Sequence, residues 1–395
     1  MDLSNAFTGL AGLSLLVWLY LLIGRSGFWR ARPTIEEERA IAPAVWPAVV
    51  AIVPARDEAQ HVAAALRSLL DQNYPGRLAI LLIDDGSEDG TGAIAGRLKD
   101  EAPAARRLEV IAARALPPGW TGKLWAMSEG LSHAARMAPD APYLLFTDAD
   151  IAHAWDGLAR LVAKAEADRL DLVSLMVRLR CETPWERLLI PPFVFFFRML
   201  YPFLAVNDPK RSPAAAAGGC MLVRRRALHQ AGGLEAARGA LIDDVALARA
   251  IKHRPGGGRI WLGLTSQTRS LRPYVTLGKI WAMVARTADT QLRHSLLLLA
   301  GAMLGMTLAY LLPPLATLGL PLHGDLAVAS VGLLAWVAMS VAYLPTLGLY
   351  GVPRIWAASL PAAAALYMAM SVDSAIRHRR GVGSSWKGRE YPLET

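Results

Sequence analysis

The sequence has few cysteines and lacks two patterns that would place it in common functional classes. Its only cysteines are Cys181 and Cys220, and neither has the spacing of a metal-ligand motif, so a reduced, cytosolic compartment is expected. No Gly-x-Gly-x-x-Gly follows the first apolar strand pattern, which disfavours a dinucleotide-dependent dehydrogenase. The net charge of +9 is not accompanied by a ladder of aromatic and basic residues, so nucleic acid is not an expected partner.

Long apolar runs lie at both ends of the 395-residue chain, and the middle is more polar. Residues 7–24 are uncharged and about one bilayer thick, and basic residues follow them instead of preceding them. This order predicts an uncleaved span within residues 1–25, with its C-terminal end in the cytoplasm. Three further stretches, at 295–320, 326–349 and 355–372, predict a C-terminal membrane region over 294–376.

The charge pattern conflicts with a simple count of these spans. One N-terminal and three C-terminal crossings would leave residues 377–395 outside the cell, although that tail is basic. The positive-inside rule favours a cytoplasmic tail. Either one stretch is re-entrant or interfacial, or the first one splits at Pro313-Pro314.

The middle of the chain alternates short apolar runs with helical patterns, which predicts parallel βαβ units. The predicted strands are 48–53, 78–83, 108–112, 143–147 and 172–179, and the predicted helices are 58–70, 91–99, 124–137 and 155–167.

Two amphipathic segments follow this alternating region. Residues 184–206 are rich in aromatics and proline and contain Arg187 and Arg198, which favours a helix lying on the bilayer over a membrane span. A buried core helix is the alternative interpretation. Residues 279–292 form the second interfacial candidate, next to the first C-terminal apolar stretch.

Four acidic positions are spread through the polar region: Glu58, Asp84-Asp85, Asp148 with Asp150, and Asp243-Asp244. The second and third follow apolar strand patterns. An open α/β sheet places its ligand crevice at the carboxyl ends of its strands. Together with the apolar ends, these carboxylates predict a site for a metal and a nucleotide at the membrane surface.

Several motifs resemble family 2 glycosyltransferases with the GT-A fold, over about residues 48–290. They are Val-Pro-Ala-Arg-Asp-Glu at 53–58, Asp-Asp-Gly-Ser-Glu-Asp-Gly-Thr at 84–91, Gly-Trp-Thr-Gly-Lys at 119–123 and Thr-Asp-Ala-Asp at 147–150. The stretches 116–123, 192–202 and 284–292 are similar to the bacterial hopanoid-biosynthesis-associated glycosyltransferases, and more distantly the chain resembles ceramide glucosyltransferases.

The resemblance implies an α/β fold, with a GT-A type mixed, Rossmann-like sheet flanked by helices and transmembrane helices at both ends. A juxtamembrane linker at 26–47 would lead to a cytoplasmic catalytic domain at 48–293. The C-terminal membrane region and a basic cytoplasmic tail would follow.

The nucleotide is expected to contact residues after the first two strands. Asp85 can accept the N3–H of uracil, and Pro54, Ala55 and Glu58 are expected to line the same nucleoside. Arg56 would contact phosphate or brace its loop. The alternative for Asp84-Asp85 is capping of the turn before the next helix.

A divalent metal is the expected cofactor. Asp148 and Asp150 would hold Mg²⁺ or Mn²⁺, which prefers oxygen ligands and bridges diphosphate oxygens, with Asp150 as the stronger candidate for direct ligation. Lys123 would add positive charge near the diphosphate, or it is an ordinary solvated lysine.

An inverting transfer also needs a carboxylate that accepts the proton of the acceptor hydroxyl. In related enzymes the second residue of an acidic pair has this role, which implies Asp244, with Asp243 next to the acceptor or diphosphate. Capping of the following helix is the alternative for both. Gly218, Gly219 and Cys220 would form the acceptor-side loop, where small residues permit close approach.

One segment departs from the processive members of the family. They carry Gln-x-x-Arg-Trp before the C-terminal spans, whereas this chain has Arg286-Thr287. Arg286 would still contact the diphosphate, but the missing tryptophan argues against a polysaccharide synthase. Trp-Lys-Gly-Arg at 386–389 resembles a recurring C-terminal motif of membrane-bound relatives and again favours a cytoplasmic tail.

The expected activity is transfer of one sugar from a nucleotide-sugar donor, with UDP as the expected nucleotide, to a lipid hydroxyl at the bacterial inner membrane. A hopanoid polyol is the acceptor that the resemblance implies. Polyprenyl-phosphate sugar transfer and a non-catalytic membrane scaffold are the alternatives. A scaffold would not need Asp85, Asp150 and Asp244.

Overall fold

The computed structural model describes residues 3–39, 41–101, 107–381, 385–387 and 389–390. Met1 and Asp2 of the predicted N-terminal span and Gly388 of the tail motif lie outside the described residues.

An eight-stranded mixed sheet forms the centre of the polar region. Its strands are β1 (Val49–Ala55), β2 (Leu78–Asp84), β3 (Leu108–Ala112), β4 (Tyr143–Thr147), β5 (Ile151–Ala152), β6 (Leu172–Arg178), β7 (Cys220–Arg224) and β8 (Ile260–Ser270). They lie in the order β3-β2-β1-β4-β7-β6-β8-β5. The strands β3, β2, β1 and β4 are parallel to one another, whereas β7 runs antiparallel to both β4 and β6. A separate hairpin pairs β9 (Ser385–Trp386) with β10 (Arg389–Glu390).

Helices cover both faces of the sheet and form the membrane region. They are α1 (Leu3–Ile23), α2 (Val62–Leu70), α3 (Thr91–Glu101), α4 (Gly122–Met137), α5 (Gly157–Ala167), α6 (Pro184–Leu200), α7 (Phe203–Asn207), α8 (Arg225–Gln230), α9 (Asp243–Lys252), α10 (Leu277–Ala285), α11 (Ala288–Gln291), α12 (Leu296–Met306), α13 (Leu312–Leu318), α14 (Leu320–His323), α15 (Leu326–Tyr350) and α16 (Leu360–Arg379).

The five predicted strands and four predicted helices are present, with small shifts at their ends. Helix α2 begins at Val62 instead of residue 58, because residues 58–61 belong to a loop that is bonded to the loop after β2. The sequence did not predict β5, β7 and β8. Strand β7 is followed only by the six-residue helix α8, so it does not show the strand–helix alternation that revealed the other strands.

Strand β1 is buried on both faces, which explains its continuous apolar sequence. Val49, Ala51 and Val53 pack with α2, α3 and α5. Val50 and Ile52 face the opposite layer, where α4 covers the sheet. The carboxyl end of β1 is therefore held rigidly between its neighbours β2 and β4.

Three C-terminal helices are long and apolar enough to cross a membrane: Leu296–Leu318, Leu326–Tyr350 and Arg354–Arg379. The apolar part of α1, Phe7–Ile23, is shorter. The first stretch does not split at Pro313-Pro314. It stays helical because a π-helical segment, Thr307–Leu311, precedes the prolines, which cannot donate backbone hydrogen bonds to that turn.

The predicted interfacial segment at 184–206 forms two helices, α6 and α7, and α6 keeps Pro191 and Pro192 within it. Arg198, one of the two arginines on which the interfacial interpretation rests, is buried, as the alternative of a core helix would require. Its side chain is 1% exposed and its Nη1 lies 3.4 Å from Thr346 Oγ1 of α15, because α6 is packed between the sheet domain and the membrane helices. The second candidate, 279–292, forms α10 and α11.

Aromatic packing joins α6 to the membrane helices. Phe195 contacts Tyr343 of α15 with ring centroids 5.4 Å apart, and Phe196 contacts Tyr367 of α16 at 5.1 Å. Arg25, just after α1, donates to the backbone oxygen of Met199 at 3.0 Å. The domain and the apolar helices therefore share one continuous core.

Candidate active site

The loops after β1 and β2 are tied together by side chains of short polar residues. The backbone N–H of Glu58 donates to Thr91 Oγ1 at 2.8 Å, and that of Asp57 donates to Ser87 Oγ at 3.0 Å. Asp57 has a φ of 50°, a left-handed conformation that costs energy in a non-glycine residue. The predicted nucleotide residues Pro54, Ala55 and Glu58 thus lie on a braced edge of the sheet.

The two neighbouring aspartates after β2 have different surroundings. Asp84 Oδ1 accepts the backbone N–H of Ser87 at 2.9 Å, so this residue caps the turn, which was the alternative interpretation for the pair. Asp85 is 2% exposed, and its backbone N–H donates to Ala55 at 2.8 Å, which places it beside the end of β1. Arg56 donates to the backbone oxygen of Gly86 at 3.2 Å and braces the loop, one of the two roles expected for it.

Asp148 follows β4 and pairs with Lys123 at the start of α4. Lys123 Nζ lies 2.7 Å from Asp148 Oδ1 and 4.0 Å from Asp243 Oδ2. Burial alone would lower the pKa of the Lys123 ammonium, but the two carboxylates outweigh it and raise that pKa. Burial raises the pKa of Asp148, although Lys123 opposes this effect. Lys123 is therefore a partner of the acidic cluster and not a solvated lysine.

Asp150 is 7% exposed and pairs with Arg272, which follows β8. Arg272 Nε lies 2.8 Å from Asp150 Oδ2, and its Nη2 contacts Glu58 Oε1. Burial would lower the pKa of Arg272, but the negative charges of Asp150 and Glu58 raise it instead. Arg272 thus joins the carboxyl ends of β1 and β4, and sequence reasoning missed it.

The C-terminal tail reaches the same loop. Lys387 Nζ lies 2.9 Å from Glu58 Oε1 and donates to the backbone oxygen of Asp57 at 2.8 Å. In return, Arg56 Nε donates to the backbone oxygen of Lys387 at 3.1 Å. Burial raises the pKa of Glu58, and Arg272 and Lys387 partly offset this shift.

Asp244 lies in the first turn of α9 and is fixed by two backbone N–H groups. Its Oδ2 accepts from Gly218 at 2.7 Å, and its Oδ1 accepts from Val245 at 2.7 Å. Burial and the neighbouring charge of Asp243 raise the pKa of Asp244 to about 6. The Val245 bond is the capping contact expected as the alternative, whereas the Gly218 bond connects Asp244 to the 218–220 loop.

The predicted acceptor-side loop is only partly accessible. Gly218 and Gly219 are half-buried, and Cys220 is fully buried as the first residue of β7. Thr147 Oγ1 donates to the backbone oxygen of Gly219 at 2.8 Å, which holds the loop against the end of β4. The side chain of Cys220 packs in the sheet core and not toward the loop surface.

Arg286 lies at the end of α10 and is exposed. Burial has the largest effect on the hydroxyl of Tyr274 and raises its pKa. The positive charges of Arg272 and Arg286 lower this pKa, and the negative charge of Asp150 raises it. The backbone N–H of Tyr274 donates to Glu186 Oε1 of α6 at 2.8 Å. The loop that carries Arg272 is therefore attached directly to the N-terminal end of α6.

The cluster fits a divalent cation. Among the described residues, four carboxylates pair with three cations: Glu58, Asp148, Asp150 and Asp243 with Lys123, Arg272 and Lys387. A fifth carboxylate, Asp244, accepts from the backbone N–H of Gly218. The Oδ2 atom of Asp243 and the Oε2 atom of Glu58 are buried without a hydrogen-bond partner among the described residues. Oxygen donors with excess negative charge are the chemistry that Mg²⁺ and Mn²⁺ require.

Gly218 offers a direct test of this packing. A Cβ at this position would lie 3.1 Å from Lys123 Nζ and 3.3 Å from Asp244 Oδ2, tighter than ordinary contacts. We expect Gly218→Ala to lower kcat, because the added methyl group would push Lys123 and Asp244 away by a few tenths of an ångström and so disturb the geometry of the site. Steady-state kinetics of the purified variant would measure the change.

Gly96→Ala in α3 is the matched control, since a Cβ there meets no atom within 4 Å. That variant should keep full activity and unfold at a slightly higher temperature. An unchanged kcat for Gly218→Ala would show that the loop does not position Lys123 and Asp244.

Comparisons with known proteins support a family 2 glycosyltransferase. The family model described as "Glycosyl transferase family 2" matches residues 50–232, a little under half of the chain. This match contains the loops after β1, β2 and β4 and the 218–220 loop. No curated protein sequence matches significantly.

Among solved structures, the chain is similar to the mannosyltransferase PcManGT from Pyrobaculum calidifontis, described in complex with GDP-Man and Mn²⁺. The identity is 19%, the TM-score is 0.55, and the likeness covers 93% of this chain and 99% of that one. This likeness shows a shared GT-A fold. Glucosyl-3-phosphoglycerate synthase from Mycobacterium tuberculosis aligns with 66% of this chain and 85% of its own, at 19% identity and a TM-score of 0.40.

Proposed function

We propose that this chain is a membrane-bound inverting glycosyltransferase that moves one sugar from a nucleotide-sugar donor to a lipid hydroxyl. The observation that carries the proposal is the meeting of three groups at one edge of the sheet. These groups are three pairs of residues at neighbouring strand and helix ends: Asp150 with Arg272, Asp148 with Lys123, and Asp244 with Gly218. Each group suits one task of sugar transfer.

The nucleoside is assigned to the braced loops after β1 and β2. Asp85 is assigned to accept the N3–H of uracil, because its backbone bond to Ala55 sets it beside the end of β1, and this assignment favours a UDP-sugar donor. Pro54, Ala55 and Glu58 line the same edge. Arg56 and Lys123 extend the positive charge toward the diphosphate.

Asp150, with Asp148, is assigned to hold Mg²⁺ or Mn²⁺. When bound, the metal neutralises the charge that develops on the leaving diphosphate. Arg272 and Lys123 pair with these carboxylates and are assigned to contact the diphosphate oxygens. Arg286 adds positive charge on the side of Tyr274.

Asp244 is assigned as the general base that accepts the proton of the acceptor hydroxyl. Its backbone bond from Gly218 aims it at the 218–220 loop, where small residues leave room for an acceptor. Its pKa near 6 makes it a stronger base than an ordinary aspartate and keeps it ionised at pH 7. Asp243 is assigned a supporting role, in which it adds negative charge beside Lys123.

The pH dependence of kcat should report this base. A base must be unprotonated to act, so transfer should fall as the pH drops through about 6, the pKa of Asp244, and stay level from pH 7 to 8. Rates measured at saturating donor and metal from pH 5 to 8 would give the acidic limb. A limb near pH 4 would contradict the raised pKa.

The acceptor is proposed to enter from the bilayer along α6. This helix links the membrane helices, through Phe195 and Phe196, to the Arg272–Tyr274 loop, through Glu186. An acceptor that slides along α6 would arrive next to Asp150 and Asp244. A lipid hydroxyl is therefore favoured over a soluble sugar, and the resemblance points to a hopanoid polyol.

The membrane topology is proposed to have an interfacial α16. Its Tyr367 donates to Leu189 of α6 at 2.8 Å, and its Asp373 accepts from Trp281 of α10 at 2.7 Å, so it runs along helices attached to the domain. The contact of Lys387 with Glu58 requires the tail and the domain to share one side of the membrane. One N-terminal and two C-terminal crossings satisfy this requirement, with the domain and basic tail in the cytoplasm.

Lipid extracts of a deletion strain, compared with wild type by mass spectrometry, test the proposed activity. Loss of one glycosylated lipid, restored by the wild-type gene and not by Asp244→Asn, is the expected result. Loss of a sugar-charged polyprenyl phosphate would favour that alternative. An unchanged lipid profile together with no donor turnover in vitro would favour a scaffold.

A further inference from the structure

Three side chains suited to a transition metal meet where the domain joins the membrane helices. Asp289 lies in α11, His294 lies in the connection between α11 and α12, and His378 lies in the last turn of α16. No residue of the candidate active site belongs to this group, which we call the 289–294–378 cluster.

The donor atoms of this cluster are already close together. His294 Nδ1 lies 2.7 Å from Asp289 Oδ2, and His378 Nδ1 lies 4.0 Å from the same oxygen. All three donor atoms lie within 4.8 Å of one another. Ligands bonded at about 2.0–2.1 Å to a tetrahedral ion are roughly 3.3 Å apart, so small side-chain shifts would complete the coordination.

The surrounding structure holds these donors in place. The backbone N–H of Asp289 donates to Ser374 Oγ of α16 at 3.1 Å, and the Asp289 residue is only 6% exposed. Arg293 and His294 have φ values of 53° and 56°, two consecutive left-handed conformations that cost energy outside glycine. This costly backbone turns the His294 imidazole back onto Asp289, and the two imidazole rings stack at 4.0 Å.

Asp373 and Arg377, which lie on α16 near the cluster, have their own partners. Asp373 of α16 pairs with Arg377 at 2.8 Å and accepts from Trp281 Nε1, so it does not compete for the histidines. The cluster therefore offers two imidazole nitrogens and one buried carboxylate to a ligand.

We propose that Asp289, His294 and His378 bind one Zn²⁺ ion, with water in the fourth position. Imidazole and carboxylate donors in a tetrahedral arrangement suit Zn²⁺, whereas Mg²⁺ and Mn²⁺ prefer all-oxygen sites such as the one at Asp148 and Asp150. The ion fixes the end of α16 against α11. It thereby fixes the point from which the tail leaves toward Lys387 and the nucleotide loop.

Metal analysis of the full-length protein tests this site. The protein is purified in detergent from zinc-supplemented medium, any affinity tag is removed, and zinc is measured by plasma mass spectrometry after passage over a chelating resin. We expect about one zinc per chain, and less than a tenth of that in His378→Ala and in His294→Ala. Replacement with Co²⁺ should give the visible absorption of a tetrahedral site in the wild type alone.

Two controls separate this site from other metal binding and from the proposed activity. His253→Ala should keep its zinc, since the exposed His253 imidazole bonds to the backbone oxygen of Ser212 on the domain surface, away from the cluster. Asp150→Ala should also keep its zinc, so loss of transfer and loss of zinc can be scored independently. Wild-type protein without zinc and without uptake of added Zn²⁺, or unchanged zinc in folded His378→Gln, would overturn the proposal.

Discussion

Replacing Asp244 with asparagine should abolish sugar transfer and leave donor binding intact. Asparagine preserves the size of the side chain and can still accept the Gly218 backbone bond, but it cannot accept a proton at neutral pH. Loss of a general base lowers rates by about 10²–10⁴-fold, so kcat should fall by at least 100-fold. Single-turnover transfer and calorimetric titration of the donor would measure the two effects separately.

Asp243→Asn distinguishes the two neighbouring carboxylates. Asp243 Oδ2 lies 4.0 Å from Lys123 Nζ and has no hydrogen-bond partner in the part of the chain that the structure describes. This variant should therefore weaken donor binding more than it lowers kcat. Asp156→Asn on the domain surface, where Asp156 pairs with Arg160, is a control with the same chemical change. A normal kcat in Asp244→Asn would remove this residue from the mechanism.

The parts of the site that sequence analysis predicted lie at the ends of parallel strands. Glu58, Asp85 and Asp148 follow β1, β2 and β4, and parallel neighbours bring their carboxyl ends to one edge. The apolar runs that mark these strands are visible in the sequence because both faces of the sheet are covered. Local pattern and fold agree here, so the residues could be named without coordinates.

The cations of the site were harder to predict, because their positions depend on contacts between distant segments. Arg272 follows β8, which pairs with β6 and β5. In the sequence, Arg272 and Asp150 are more than 100 residues apart. The sequence around Arg272, Leu-Arg-Pro-Tyr, has no periodic signal, and because β8 was not predicted, nothing marked Arg272 as a residue at a strand end. Lys387 was noted as part of a motif, but its contact with Glu58 requires the path of the whole tail.

The membrane helices could also be predicted only in part from the sequence. Hydropathy located all three C-terminal stretches, because length and composition alone define them. It could not separate a crossing helix from one that lies against the domain, since the helices Leu326–Tyr350 and Arg354–Arg379 are both long and apolar enough to cross a membrane. The burial of Arg198 was missed for the related reason that α6 is covered on both sides, by the sheet domain and by α15.

Asp150→Ala should remove metal-dependent donor binding. Asp150 is the buried carboxylate of the pair, and a metal that bridges it to a diphosphate supplies several kcal/mol. We expect the donor affinity measured with Mn²⁺ to fall by at least about 100-fold, to the level of wild type in EDTA. Asp148→Ala should have a smaller effect, because Asp148 is more exposed and is paired with Lys123. Donor titration with and without Mn²⁺ would show the difference. If Asp150→Ala kept the Mn²⁺ requirement of the wild type, Asp150 would not be the metal ligand.

Arg272→Gln should change metal affinity and donor affinity in opposite directions. Arg272 Nε lies 2.8 Å from Asp150 Oδ2, so its positive charge competes with a cation for that oxygen. Removing this charge should tighten Mn²⁺ binding without donor. It should also weaken donor binding with Mn²⁺ present, because the diphosphate loses a bidentate partner. Opposite shifts in the two titrations are expected only if Asp150 is a metal ligand and Arg272 moves from it to the donor; a parallel loss of both affinities would mean that Arg272 serves only to hold β1 and β4 together.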